Sequence, residues 1–162
     1  MDHIAFMTKK LKLIDKILSG RKKIESRWHV NKIAPWNKIQ IGGTIYFKNA
    51  GEKVTAKATV SKVLQFSNIN QTASKNLFDN PENQTKTILE ILNKYGKLIA
   101  FSNSEYEEFA RDNKNKNYCI LIYLANPQKL EPFQINKSGF GNACAWICID
   151  SVESIKLQGG KD

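Results

Sequence analysis

Residues 54–61 alternate strictly between small apolar and polar side chains, and this stretch constrains the fold more than any other. The apolar positions are Val54, Ala56, Ala58 and Val60, and the polar ones are Thr55, Lys57, Thr59 and Ser61. A period of two predicts a strand with one buried face. Small residues on that face suit the interior of a narrow β-barrel. Because Thr44–Lys48 and the turn Asn49–Glu52 precede it, the stretch from Thr44 to Leu64 is expected to form a β-hairpin.

Two further apolar runs predict strands in the last third of the chain. Tyr118–Leu124 is continuously apolar, as in a strand that is buried on both faces. Pro127 and Pro132 then indicate a loop. Cys144–Ile149 is expected to be a second buried strand, with Val152–Leu157 as its extension or its partner.

A short amphipathic helix is expected near the start of the chain. Leu11, Ile14 and Leu18 fall on one helical stripe within the stretch Lys9–Leu18. Thr8 is a candidate N-cap, and Ser19-Gly20 supplies a stop signal.

Residues 67–116 interrupt the β pattern and predict a helical insert. Asn80-Pro81 resembles a helix cap followed by a first-turn proline. A helix is expected over Ile88–Tyr95 and should end at Gly96. Ser104–Glu107 fits a capping box that opens a second, shorter helix. The insert is either a lid or additional core.

The net charge of +10 is carried by the first third of the chain. Residues 1–62 contain 14 Lys and Arg against four Asp and Glu, whereas residues 63–162 contain 11 of each kind. A basic segment of this kind suits a polyanionic partner, above all nucleic acid, although a soluble lysine-rich surface would give the same composition.

Composition places the chain among globular proteins. The apolar fraction is 41%, and no apolar run reaches the length of a membrane span, so no membrane association is expected. The N-terminal stretch lacks the apolar core of a signal peptide, and a cytoplasmic location is expected. Three cysteines at Cys119, Cys144 and Cys148 have neither zinc-site nor disulfide spacing, which predicts buried free thiols and no metal or cofactor.

The most polar constellation of the chain follows the first predicted helix, in the stretch Gly20-Arg21-Lys22-Lys23-Ile24-Glu25-Ser26-Arg27. If this stretch is a strand, alternation puts Lys23, Glu25 and Arg27 on one face and Lys22, Ile24 and Ser26 on the other. A carboxylate between two cations is a candidate site. A solvated edge strand is the other interpretation.

The pattern Gly20-x-Lys22-x-x-Glu25-x-Arg27 resembles the signature of the ASCH domain family, whose fold is a PUA-like β-barrel. The resemblance continues through Gly43–Phe47, where Thr44 replaces the usual Asp, and through Val60–Phe66. The closing strands of the family are similar to Tyr118–Leu124 followed by Glu131-Pro132, and to Ala145–Ile147. The resemblance therefore implies a mixed α/β (α+β) fold, a barrel of about five to seven strands with an N-terminal helix and a central helical insert. We expect one domain over residues 1–158 and a tail over 159–162.

The resemblance implies two kinds of function. PUA-like barrels commonly bind RNA or a modified nucleotide in a cleft between the barrel and its first helix. In that case Lys22 and Arg27 would contact phosphate, Trp28 or Trp36 could stack on a base, and Glu25 would accept a hydrogen bond. The predicted binding set is Arg21, Lys22, Lys23, Glu25, Arg27, Trp28, His29 and Trp36, and the predicted partner is RNA, a nucleotide or a nucleoside.

The second kind of function is metal-independent hydrolysis. A bacterial branch of similar proteins hydrolyses N4-acetylcytidine with the lysine that corresponds to Lys22, and other ASCH-type proteins are reported to cleave single-stranded RNA. Burial or neighbouring cations can depress a lysine pKa far enough for it to act as a base. That branch has a threonine where this chain has Glu25, which argues against the same amidohydrolase activity. Glu25 could itself be a general base or could form a structural ion pair, and an unpaired Glu25 beside Lys22 would favour chemistry.

Overall fold

Six strands form one curled sheet in the computed structural model, which describes residues 1–70 and 87–159. They are β1 (Asp2–Met7), β2 (Ile24–His29), β3 (Thr44–Asn49), β4 (Val54–Ser67), β5 (Tyr118–Phe133) and β6 (Trp146–Ile149). The order across the sheet is β2-β5-β4-β3-β1-β6. β1 pairs in parallel with β3, and the other pairs are antiparallel. The mixed α/β half-barrel confirms the predicted fold class.

The predicted hairpin is present as β3 and β4. Phe47 of β3 lies opposite Ala56 of β4, and Ile45 lies opposite Ala58. Val54, Ala56, Ala58 and Val60 are at most 1% exposed. The side chains at positions 55, 57 and 59 are half-buried on the other face, so the alternation read from the sequence does mark the inner face of the sheet.

The predicted loop at Pro127 and Pro132 is wrong, because β5 continues through both prolines to Phe133. β2 pairs with β5 only between Tyr118 and Tyr123, whereas β4 pairs with it as far as Phe133. Beyond Tyr123, β5 therefore has no described strand paired on its β2 side. A proline, which lacks an N–H, is tolerated at such an edge. Register shifts between β4 and β5 accommodate the irregular pairing.

The C-terminal strand is shorter than predicted and lies at a sheet edge. β6 begins at Trp146 and pairs with β1 alone, so its last two residues are only half-buried. Val152–Leu157 is neither an extension nor a full partner of β6; it contains a 3₁₀ turn and one bridge between Lys156 and Ile135. All three cysteines are free, as predicted, but Cys119 alone is fully buried.

The N-terminal helix is broken where one continuous helix was predicted. A 3₁₀ turn at Lys9–Leu11 is followed by α1 (Leu13–Leu18). Lys12, between them, has φ of 51°, a left-handed conformation that a helix cannot contain. Leu11 is consequently 50% exposed, whereas Ile14 and Ile17 are buried against the barrel. The Thr8 side chain makes no capping hydrogen bond.

The described part of the insert contains two α-helices, α2 (Ile88–Ile99) and α3 (Tyr106–Asp112). The predicted cap at Asn80-Pro81 lies outside the described residues. Gly96 does not end α2, which runs to Ile99 and stops at Ala100 with φ of 77°. Gly96 is instead required for packing, since a Cβ there would overlap the ring of Tyr106.

The capping hydrogen bond of the second helical segment is made two residues earlier than predicted. The Glu105 carboxylate accepts from the backbone N–H of Ser102 at 2.7 Å. Tyr106 is buried, and α2 and α3 pack on the outer face of β2 and β5 through Ile91, Leu92 and Leu121. The described helices of the insert are thus additional core. None of the described helices has the length and hydropathy that a membrane span requires.

Candidate functional site

The glycine-lysine turn between α1 and β2 brings Lys22 and Glu25 together. Gly20 has φ of 79°, which ends α1, and the Lys22 N–H then donates to the Lys16 carbonyl at 2.9 Å. β2 begins at Ile24, so Lys22 precedes the strand and does not follow its alternation. The expectation that Lys22 and Glu25 occupy opposite faces is wrong, because Lys22 Nζ lies 3.4 Å from Glu25 Oε2.

Lys22 is a buried lysine with a nearly complete set of acceptors. It is 4% exposed, and its Nζ donates to the carbonyls of Ile24 at 2.8 Å and Ile99 at 2.9 Å. Ile99 ends α2, where carbonyls have no partner within the helix, so Lys22 also caps that helix. Burial lowers the pKa of Lys22, and the Glu25 carboxylate opposes that shift.

Glu25 is the carboxylate that joins the two cations of the motif. It is 4% exposed, and its Oε1 lies 3.0 Å from Arg27 Nε. Its Oε2 is buried and faces the third donor of the Lys22 ammonium at 3.4 Å, a longer contact than the two hydrogen bonds that Nζ makes to the carbonyls. Oε2 therefore has one long ion-pair contact and no short hydrogen bond among the described residues, so a lone pair remains for a further donor.

Arg27 is held by groups of the protein itself. Nη1 donates to the Ala145 carbonyl at 3.2 Å and Nη2 to the Phe6 carbonyl at 3.3 Å. The guanidinium lies 5.0 Å from the ring centroid of Trp146. These contacts tie β2 to β1 and β6 and orient the Arg27 side chain towards Glu25.

A cavity of about 200 Å³ lies between α1, the motif and the insert. Lys22, Glu25, Ser26 and Trp28 form one wall. The other walls come from Leu11, Leu13, Lys16, Ile99, Ala100, Phe101, Glu105 and Phe109. Trp28 donates from Nε1 to Ser26 Oγ at 3.0 Å and packs edge-on to Phe109 at 5.1 Å. A larger groove of about 740 Å³ near β5 and the C-terminal turn contains no residue of the motif.

The fold places this chain beside solved ASCH structures. A crystal structure of an ASCH protein from Zymomonas mobilis superposes with a TM-score of 0.60 at 14% identity, covering 97% of this chain and 96% of that chain. Two single-residue mutants of that protein give the same TM-score and identity, covering 94% of this chain and 93% and 91% of theirs. The chain has the ASCH fold. At 14% identity the likeness concerns the fold, and the sequence matches no protein-family model and no curated protein.

Sequence reasoning missed the cavity walls that the insert supplies to the ASCH fold. Phe101 and Phe109 lie more than 70 residues from the motif, so no local spacing connects them to Lys22. The one available signal was the capping pair of Ser102 and Glu105, which fixes where α3 begins. The position of Lys16 on the cavity wall could have been inferred from the sequence, because Lys16 belongs to α1 and α1 leads directly into the motif.

Two predicted cations of the motif are solvent-exposed. Arg21 and Lys23 project outward beside the turn, while the backbone N–H of Lys23 donates to the Leu98 carbonyl at 2.7 Å. The Lys23 carbonyl accepts from the Leu124 N–H at 2.9 Å, so its backbone anchors the motif to both α2 and β5.

His29 and Trp36 are not among the residues that line the cavity. Trp36 packs edge-on to Tyr118 with ring centroids 5.0 Å apart, and the Lys32 ammonium lies 6.0 Å from its ring. His29 is half-buried at the end of β2, where burial, Arg27 and Lys116 lower its pKa. The predicted binding set is therefore divided into a cavity group and a separate aromatic group. Among the described residues, no group of His, Cys, Asp and Glu side chains is placed to hold a metal ion.

Proposed function

We propose that the cavity beside Lys22 and Glu25 binds one nucleobase or nucleoside, presented by single-stranded RNA or by a nucleotide-like ligand. The observation that carries the proposal is Glu25 Oε2, a buried acceptor on the wall of an aromatic-lined cavity whose one close cation among the described residues, Lys22 Nζ, lies 3.4 Å away. At about 30 Å³ per water, 200 Å³ holds roughly seven water molecules, which is close to the size of one base. A flipped-out base offers both a ring face and an edge that donates hydrogen bonds.

The parts of the site take separate roles under this proposal. Glu25 Oε2 accepts from a base N–H, and Trp28 with Phe109 forms the apolar wall on which the ring packs. Lys22 and Arg27 hold Glu25 in place and are not the phosphate contacts. Arg21 and Lys23 are the exposed cations of the motif, and they supply the positive field for the phosphate backbone of the ligand.

The pairing of Glu25 with Arg27 favours binding over chemistry. A general base needs a free lone pair and a pKa matched to its task. Oε1 faces Arg27 Nε at 3.0 Å, which stabilises the carboxylate, and Lys22 Nζ is directed at two carbonyls. The Glu25 carboxylate and the Lys22 ammonium are thus both held by contacts within the protein, without a ligand.

Hydrolysis is the second candidate, and the lowered pKa of Lys22 favours it. A neutral Lys22 could keep both carbonyl hydrogen bonds and turn its lone pair towards the cavity. It would take a proton from water, the resulting hydroxide would attack the acyl carbon of an acylated nucleoside, and the amine would leave with a proton. For RNA, the same base would take the proton of the 2′-hydroxyl, whose oxygen attacks the adjacent phosphorus; the P–O bond to the 5′-oxygen breaks, and that oxygen leaves with the proton returned by Lys22.

Binding and turnover are separated by one experiment on a fluorescently labelled single-stranded RNA at low and moderate salt. Anisotropy measures binding, a denaturing gel measures cleavage, and chromatography follows N4-acetylcytidine in parallel. We expect salt-sensitive binding without turnover. Trp28→Ala should weaken it about tenfold, since base–aromatic stacking is worth about 1–3 kcal/mol.

Glu25→Gln should weaken binding by a similar factor, since hydrogen bonds to charged groups are worth about 1.5–3 kcal/mol. Lys129→Ala, an exposed cation on β5, is the matched control and should change affinity less than twofold. Wild-type affinity in Trp28→Ala would contradict the binding proposal. Turnover that disappears in Lys22→Met would replace it with the hydrolase.

A further inference from the structure

A second pocket, of about 340 Å³, lies at the start of β1. It is lined by Met1, His3, Lys38, Gln40, Ile41, Gly42 and Gly43, and none of these residues lines the cavity beside Lys22. The pocket therefore does not depend on the function proposed above.

His3 presents a buried donor that has no acceptor. The residue is 0% exposed, and its Nδ1 lies 3.1 Å from Trp146 Nε1. An indole N–H can only donate, so Nδ1 is the acceptor and the neutral ring carries its proton on Nε2. That Nε2–H is buried and finds no partner in residues 1–70 and 87–159. Burial lowers the pKa of His3 to about 4, which keeps the ring neutral at pH 7.

Gly43 keeps the pocket open over this edge of the His3 ring. A Cβ at position 43 would lie 3.1 Å from the Gln40 carbonyl oxygen, 3.4 Å from the Met1 carbonyl oxygen and 3.9 Å from His3 Cδ2, the carbon bonded to Nε2. The φ of Gly43 lies outside the left-handed region, so the backbone itself does not require glycine. The glycine therefore accommodates the carbonyl oxygens of Gln40 and Met1, and the absent side chain also leaves the space beside the His3 ring unfilled.

The charged side chain that lines the pocket is positive, although the neighbouring Asp2 carboxylate, which accepts from the Val152 N–H at 2.8 Å, also acts on His3. Lys38 lines the pocket, and no carboxylate of the described residues forms an ion pair with Lys38. Its charge acts on the Cys148 thiol, and Cys148 is the cross-strand partner of His3. The lining contains a lysine, an amide and the His3 donor but no Asp or Glu.

We propose that this pocket binds a phosphate-type oxyanion, either free phosphate or the phosphate group of a mononucleotide. His3 Nε2–H donates to one oxygen, Lys38 neutralises the charge, and the Gln40 amide supplies a further donor. An oxyanion satisfies the buried N–H, which otherwise carries a desolvation penalty.

The test is isothermal titration calorimetry of the full chain with inorganic phosphate in one arm and uridine 5′-monophosphate in the other. Saturable binding of inorganic phosphate alone identifies the free ion as the ligand, and tighter binding of the mononucleotide identifies a nucleotide phosphate. Lys38→Met should raise the Kd at least tenfold, and Gly43→Ala should do the same by narrowing the pocket. Lys32→Met, an exposed lysine on the same connection, is the matched control and should leave the Kd within twofold.

A direct readout at His3 keeps the proposal falsifiable if Gly43→Ala fails to fold. In NMR spectra of the wild-type chain, the His3 ring resonances should shift as phosphate is added. The Kd fitted to those shifts should equal the Kd from calorimetry. Absence of saturable heat, an unmoved His3 ring, or equal affinity in Lys38→Met would overturn the proposal.

Discussion

Replacing Arg27 with methionine should destabilise the chain by several kcal/mol. The substitution removes the ion pair to Glu25 at 3.0 Å and two hydrogen bonds to the carbonyls of Ala145 and Phe6. It leaves the Glu25 carboxylate buried with Lys22 at 3.4 Å as its remaining cation. Breaking a buried pair from one side costs about 3–5 kcal/mol, because the other charge stays buried.

A double-mutant cycle separates the ion pair from the packing of the arginine. Arg27→Met with Glu25→Gln removes the stranded charge, so the double variant should lose about 1–3 kcal/mol less than the sum of the single losses. Urea unfolding followed by circular dichroism at pH 7 gives each free energy, provided the m-values agree. Arg21→Met, an exposed arginine of the same motif, should stay within about 0.5 kcal/mol of wild type. Additive losses, or a cost below about 1 kcal/mol for Arg27→Met, would refute the argument that Arg27 holds Glu25.

Three further predictions concern buried groups outside that pair. The pKa of His3 falls from 6.5 to about 4 on folding. Between pH 4 and pH 6.5 the His3 imidazole is therefore protonated in the unfolded chain and neutral in the folded one. About 3 kcal/mol of stability is then present above pH 6.5 and lost as the pH falls towards 4. His3→Gln should flatten that slope, and an unchanged slope would contradict the assignment. Gly96→Ala should cost about 1–3 kcal/mol in urea unfolding because of overlap with the Tyr106 ring, despite the better helix propensity of alanine; a stabilised variant would refute this. Burial raises the pKa of the Cys119 thiol, so an aromatic disulfide reagent should label Cys119 only after unfolding, and rapid labelling of the native chain would show that it is accessible.

The β-hairpin was predictable because its side-chain period is a local property of the sequence. Val54 to Val60 alternate between faces whatever the rest of the chain does, and the turn at Asn49–Glu52 fixes the hairpin. β5 was half predictable: its apolar first half was identified, but Pro127 and Pro132 resemble a loop until the missing pairing with β2 is known.

The strand β1 and the end of α2 depended on contacts that no local pattern encodes. Asp2–Met7 is a strand because β3 and β6 pair with it on either side. Gly96 has the usual signal of a helix end, yet Tyr106, ten residues later, packs against the space that glycine leaves.

The site was predictable in its residue types but not in its geometry. Lys22, Glu25 and Arg27 were identified as one constellation, and the structure brings them together in a chain of contacts. The assumption that β2 begins at the glycine put Lys22 on the wrong face. Trp36 was grouped with Trp28, although the seven residues of strand and loop between them carry Trp36 to Tyr118.

The most direct test of the central claim is a crystal structure of the chain with a bound trinucleotide of RNA. We predict one base inside the 200 Å³ cavity, with a base N–H within about 3.2 Å of Glu25 Oε2 and its ring against Trp28. A base bound elsewhere, with the cavity beside Lys22 and Glu25 unchanged, would contradict it.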